Sequence, residues 1–80
     1  MKKLPRDLSG KDLIAHLKKL GYEQTRQVGS HVRLTTREKG GHHITIPSHD
    51  PLKIGTLSNI LKGIAAHFEI SKEDLINRLF

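Results

Sequence analysis

Eighty residues make one domain, expected to span 1–80, and a chain this short buries only a modest core. Cysteine is absent, which removes disulfides and thiolate metal sites and fits a reducing compartment. No apolar run approaches a membrane span, so a cytoplasmic protein is expected. The net charge is +6, and the excess is localised: residues 1–53 hold 11 basic and 5 acidic side chains, residues 54–80 hold 3 and 3. That asymmetry points to a polyanionic partner, nucleic acid first, with simple solubility charge as the plain alternative. One Tyr, two Phe and no Trp argue against a sheet that binds bases by aromatic stacking.

Residues 1–8 read as a basic, extended lead-in. A first helix starts at Ser9, where Ser9-Gly10-Lys11-Asp12 has capping-box spacing with Asp12 in place of the usual Glu. Leu8 and Leu13 flank the cap as a hydrophobic staple. Leu13, Ile14, Leu17 and Leu20 recur at helical spacing, and Gly21 supplies the left-handed C-terminal residue. Tyr22 to Val28 alternates weakly and reads as a first strand, followed by a turn at Val28-Gly29-Ser30. A second strand, His31 to Thr36, sends Val32 and Leu34 one way and His31, Arg33 and Thr35 the other. Residues 37–41 form a glycine-bearing hairpin loop. A third strand, His42 to Pro47, places Ile44 and Ile46 on the core face, with His43 and Thr45 opposite. After a loop over 48–54, a second long helix begins near Gly55-Thr56, with Leu57, Ile60, Leu61, Ile64 and Phe68 as its buried stripe. A last short helix uses Ser71 and Asp74 as a second capping box, with Ile70 stapled to Leu75. The order α-β-β-β-α plus a short helix gives an α+β fold like that of double-stranded-RNA-binding domains (dsRBDs). Its antiparallel three-stranded sheet carries both long helices on one face and leaves the other open.

The open face holds the residues that suit chemistry. His31 opens its strand beside a glycine turn, and a histidine titrates near neutrality, so it can take or give a proton. RNA brings its own nucleophile, the 2′-hydroxyl. Cleaving it requires a base for that hydroxyl, an acid for the departing 5′-oxygen, and cations for the phosphorane. Arg33, two residues on, offers a planar fork that suits phosphate; the bland reading is a solvated strand arginine. Gly29 and Ser30 are turn residues first, and Gly29 also lets a phosphate approach the backbone. Lys53 precedes a helix N-terminus and could reach phosphate, or serve as an ordinary residue of the helix approach. His42, His43 and His49 resemble a metal cluster in composition. Neighbouring strand residues face opposite sides, however, and no carboxylate has ligand spacing, so no metal site is expected. If Thr36 pairs with His42, then His31 lies opposite Pro47, and His43 lies opposite Thr35, roughly 13 Å along the sheet from His31; a tighter three-residue loop would instead make the two histidines diagonal neighbours. His42 then sits at the rim, and His16 and His67 read as packing or surface residues.

Leu17-Lys18-Lys19-Leu20-Gly21-Tyr22, Gly29-Ser30-His31, Thr45-Ile46-Pro47-Ser48-His49 and Ile54-Gly55-Thr56-Leu57-Ser58-Asn59-Ile60-Leu61 together resemble the HicA (YcfA-like) family of bacterial and archaeal toxins. The resemblance runs from about Leu4 to Ile64. It implies the dsRBD-like fold and an mRNA interferase, an endoribonuclease that cleaves mRNA without a metal cofactor and arrests translation. It also implies that the histidine after Gly-Ser, His31, is catalytic. The reading of the residues themselves adds Gly29, Ser30, Arg33 and Lys53 as those expected to bind RNA. The implied partner is a HicB-type antitoxin that covers the histidine face and commonly carries a DNA-binding domain. Many members place a second histidine or an aromatic directly after the motif histidine. Here that residue is Val32, which fits the core parity. Two other functions remain to be weighed: a non-catalytic RNA-binding module on the same fold, and an operator-binding protein, for which no helix-turn-helix spacing exists.

Overall fold

The computed structural model describes residues 4–80. Its elements are α1 (Gly10–Leu17), β1 (Glu23–Val28), β2 (His31–Thr36), β3 (His42–Pro47), α2 (Ile54–Phe68) and α3 (Lys72–Leu79). Short 3-10 turns extend α1 over Lys18–Leu20 and bridge β2 to β3 over Glu38–Gly40. The sheet is antiparallel in the order β1-β2-β3, so the α+β class and the helix–meander–helix order match the expectation.

One core forms on one side of the sheet. Val32, Leu34 and Ile46 meet Leu13 and Leu17 of α1, Leu57, Leu61 and Ile64 of α2, and Leu75 and Leu79 of α3. Burying each of these side chains contributes roughly 1.5–3 kcal/mol before chain entropy is counted. Ile60 and Phe68, expected in the α2 stripe, are only partly buried, and Ala65 completes that stripe instead.

The helix ends follow local chemistry. At α1 the Ser9 hydroxyl accepts from Asp12 N–H at 3.0 Å, and the Asp12 carboxylate accepts from Ser9 N–H at 3.4 Å, a closed capping box. At α3 the Ser71 hydroxyl accepts from Asp74 N–H at 3.0 Å, but the reciprocal bond expected from the sequence is not made. Aspartate is one methylene shorter than the usual glutamate. It barely reaches back at Ser9 and does not do so at Ser71. α2 begins one residue earlier than expected, at Ile54, with Lys53 as its extended N-cap residue.

Of the lead-in, residues 1–3 lie outside the described residues. The remainder bends at Arg6–Asp7, where an extended path was expected, then docks through Leu8, whose carbonyl accepts from Leu52 N–H at 2.7 Å. The next residue but one fixes how closely α1 approaches the sheet. Gly10 N–H donates to His49 O at 2.9 Å, and a Cβ on Gly10 would stand 2.1 Å from the Pro47 carbonyl oxygen. Only glycine lets the start of α1 press against the end of β3.

Between β2 and β3 the ladder is regular, with Thr36 opposite His42, Thr35 opposite His43, and His31 opposite Pro47. This is the register expected from pairing Thr36 with His42. β1 is different. It begins at Glu23, since Tyr22 just before it is buried in the core, and all six of its residues are exposed. Its pairing jumps from Gln24 opposite Leu34 to Arg26 opposite Arg33, leaving Thr25 as a bulge.

Candidate active site on the open sheet face

The two-residue turn Gly29–Ser30 joins β1 to β2, with Val28 and His31 as the closing pair. Gly29 takes φ 58°, the positive value required at the first central position of a type II′ hairpin turn. A Cβ on Gly29 would meet nothing within 4 Å, so the turn is open to approach from outside. Ser30 carries the ladder onward through its carbonyl, which accepts from Ser48 N–H at 2.6 Å. This tie holds the start of β2 against the end of β3 and fixes the base on which His31 stands.

The register then lays out the open face as rungs across three strands. Val28, His31 and Pro47 form the first rung; Arg26, Arg33 and Thr45 form the second. Glu23, Thr35 and His43 form the third, with the bulged Thr25 beside them. Successive rungs lie two residues apart, about 6.6 Å. The third rung is internally bonded: Thr25 Oγ1 and Thr35 Oγ1 are 3.1 Å apart, and Thr35 Oγ1 and His43 Nδ1 are 2.8 Å apart. His43 is thereby held at the far end of the sheet from His31.

The first two rungs enclose a shallow hollow of about 220 Å³ lined by Arg26, Val28, His31, Arg33 and Thr45. Of the residues expected from the sequence, His31 and Arg33 therefore meet there, next to the Gly29–Ser30 turn. Lys53 stands at the N-terminus of α2 and is not part of this lining. Among the described residues, no hydrogen bond or ion pair engages the side chains of His31, Arg26 or Arg33. All three residues are exposed. A larger groove, about 410 Å³, lies on the helix side of the β1–β2 hairpin, between Ile14 and the Ser48–Asp50 loop. It contains none of these three residues, so size alone does not mark the chemically equipped hollow.

Arg26 is the residue that sequence reading missed. Plain alternation from the buried Tyr22 puts residues 24, 26 and 28 on the core side. The bulge at Thr25 turns Arg26 and Val28 to the open face and puts Gln27 opposite Val32. Val28 is consequently 60 % exposed beside His31.

The remaining histidines form a second arrangement at the rim. Tyr22 Oη and His42 Nδ1 are 2.7 Å apart, and His42 stacks on His67 with ring centroids 4.6 Å apart and planes 10° from parallel. His67 Nε2 lies 2.9 Å from the Glu38 carbonyl oxygen. His42 is thus a rim residue satisfied by two partners, Tyr22 and His67, which accords with the edge position expected of it. Burial lowers its pKa below the usual histidine value, and the neighbouring His67 and His43 lower it further. Burial pushes the Tyr22 hydroxyl up to about 12, so it stays neutral. His42 and His43 face opposite sides of the sheet. Among the described residues, no three His, Cys, Asp or Glu side chains converge as metal ligands.

Comparison with known families gives one finding. The family described as HicA toxin of bacterial toxin-antitoxin matches residues 10–64, from the start of α1 through the whole sheet to the middle of α2. No curated protein and no solved structure matches the chain. Among the described residues, no helix is long and apolar enough to cross a membrane.

Proposed function

The chain belongs to the HicA toxin family of bacterial toxin–antitoxin systems, and on that premise we propose that it is a metal-independent endoribonuclease, an mRNA interferase that acts in the cytoplasm. One observation carries this reading: His31 stands free on an open sheet face, one rung from an unpaired arginine, where a phosphodiester can reach both.

The chemistry follows from these groups. His31 takes the proton from a ribose 2′-hydroxyl as its oxygen attacks the adjacent phosphorus. Arg33 bonds the non-bridging oxygens, whose charge rises in the phosphorane. The bond from phosphorus to the 5′-oxygen then breaks, and that oxygen takes a proton from the imidazolium formed in the first step or from water. The products are a 2′,3′-cyclic phosphate and a 5′-hydroxyl. No step needs a metal ion, because the nucleophile belongs to the substrate. Gly29 and Ser30 let the RNA backbone approach the turn, and Lys53, outside the lining of the hollow, adds positive charge that attracts it. A HicB-type antitoxin would neutralise the toxin by covering the His31 face.

The test is cleavage of RNA by the purified protein in EDTA, with end-group analysis. Wild type is expected to leave cyclic phosphate and 5′-hydroxyl ends, and His31→Ala to bind RNA without cutting it. Salt-sensitive binding with no cleavage by wild type would instead identify a non-catalytic RNA-binding module.

A further inference from the structure

We infer that Arg26 is a second phosphate-binding residue of this site, set opposite Arg33 by the β1 bulge to form a two-arginine clamp on an RNA phosphate.

Three observations lead there. The first is register. Arg26 and Arg33 are direct partners across the β1–β2 ladder, and both line the hollow that contains His31. Directly opposed residues have Cβ atoms about 4.5–5.5 Å apart, and Arg26 and His31 are diagonal neighbours at about 7–8 Å, within reach of long side chains. Two guanidinium groups and one imidazole can therefore converge on a single phosphodiester.

The second is cost. Like charges directly opposite one another destabilise a sheet. Among the described residues, no carboxylate pairs with either arginine; the one ion pair there joins Lys39 to Glu69 at 3.2 Å. Glu23, on the same face, lies at the level of Thr35, beyond the bulge. The uncompensated pair makes sense if an anion from outside relieves it. A guanidinium cannot shed its proton to escape the repulsion.

The third is the bulge itself. Without the extra residue at Thr25, the alternation that buries Tyr22 would place Arg26 on the side of the helices. The bulge brings it to the side of His31. Bulges commonly re-aim side chains next to active sites. The same shift exposes Val28 beside His31, giving an apolar surface against which the base or ribose next to the gripped phosphate can lie. Base contact here would come from an aliphatic side chain, consistent with a chain that has no tryptophan.

The clamp deepens the ribonuclease reading, and its test separates the two. The probe is a single-stranded RNA oligonucleotide with 2′-O-methyl riboses, which lacks the nucleophile and is not cut. Its affinity is measured against salt for wild type, Arg26→Gln, Arg26→Lys, Arg33→Gln and the double Gln variant, alongside melting temperature. Arg26→Gln is expected to weaken binding about tenfold at low salt and to lower the salt slope by about 0.7, the loss of one phosphate contact. Arg26→Lys should retain the slope while losing part of the affinity, because a point charge replaces a fork. The double variant should lose less than the sum of the singles if both arginines hold one phosphate. Arg26→Gln should melt at or above the wild-type temperature, since it removes a like-charge pair. Wild-type affinity and slope in Arg26→Gln would overturn the clamp, as would a loss of binding that tracks a fall in melting temperature, or no binding of the probe by wild type. Binding that follows the expected pattern with no cleavage of ordinary RNA by wild type would leave the clamp standing and remove the ribonuclease reading.

Discussion

The two faces of β2 differ in almost every respect, though they alternate within six residues. Val32, Leu34 and Thr36 are buried, at 4 %, 0 % and 1 % exposure, whereas His31 and Arg33 are open to solvent. One parity holds the fold together and the other carries unpaired charge. Even the polar member of the buried set is satisfied: Thr36 Oγ1 donates to Leu20 O at 3.1 Å and accepts from Glu38 N–H at 3.2 Å. The open face has no such closure at its first two rungs. Stability and the proposed chemistry are therefore separable by substitution.

The largest effect should come from breaking the buried parity. Leu34→Ala leaves a cavity at the centre of the sheet and is expected to cost about 2–5 kcal/mol. That is a large share of the roughly 4–12 kcal/mol typical of a chain this size. Arg33→Ala, one residue away, should stay within about 0.5 kcal/mol of wild type. Denaturant titration of both variants checks the contrast, and similar losses in the two would contradict it.

Next is Gly10→Ala. The added methyl meets the Pro47 carbonyl, so α1 must shift away from β3 at a cost of about 1–3 kcal/mol. An unchanged melting temperature would show that the approach is looser than the structure has it. Smaller again is the cap: Ser9→Ala removes the acceptor for Asp12 N–H and should cost about 1 kcal/mol in the same assay.

The pH dependence sharpens the comparison without a change of core volume. The pKa of His42 is lowered in the folded state, so the unfolded chain takes up the proton first on acidification. The stability contributed by His42 is fully present above the usual histidine pKa, and is lost as the pH falls through that range toward the lower folded value. His42→Gln should flatten this slope between about pH 7 and 5. Melting temperatures across that window decide it; an equal slope in the His42 variant would remove His42 as its source.

Much of this was legible locally. The Ser9 cap and the Gly21 helix end follow from residues close in sequence, and strong alternation in His31–Thr36 and His42–Pro47 fixes the face on which Val32, Leu34 and Ile46 are buried, whereas the β2–β3 register hung on the length of the 37–41 loop. For the same reason His31 and Arg33 could be placed on one face. β1 offered no such pattern: between Tyr22 and Val28 every residue is polar, so nothing local fixes which side each one takes. The bulge, and with it Arg26, is decided by pairing with β2. The stack of His42 on His67 spans 25 positions and has no local signal at all. Lys53 was singled out by its position ahead of a helix; that it lies outside the lining of the hollow is set by packing that sequence does not display.

The proposed role of His31 is chemical, and its contribution to the fold is almost nothing. The direct measurement is RNA cleavage in EDTA by His31→Ala and wild type at the same concentration, with melting temperatures taken on the same samples. The rate in the variant is expected to fall by about 10²–10⁴, with melting unchanged and RNA binding retained. Cleavage by the variant at the wild-type rate, or a loss that appears only with unfolding, would contradict it.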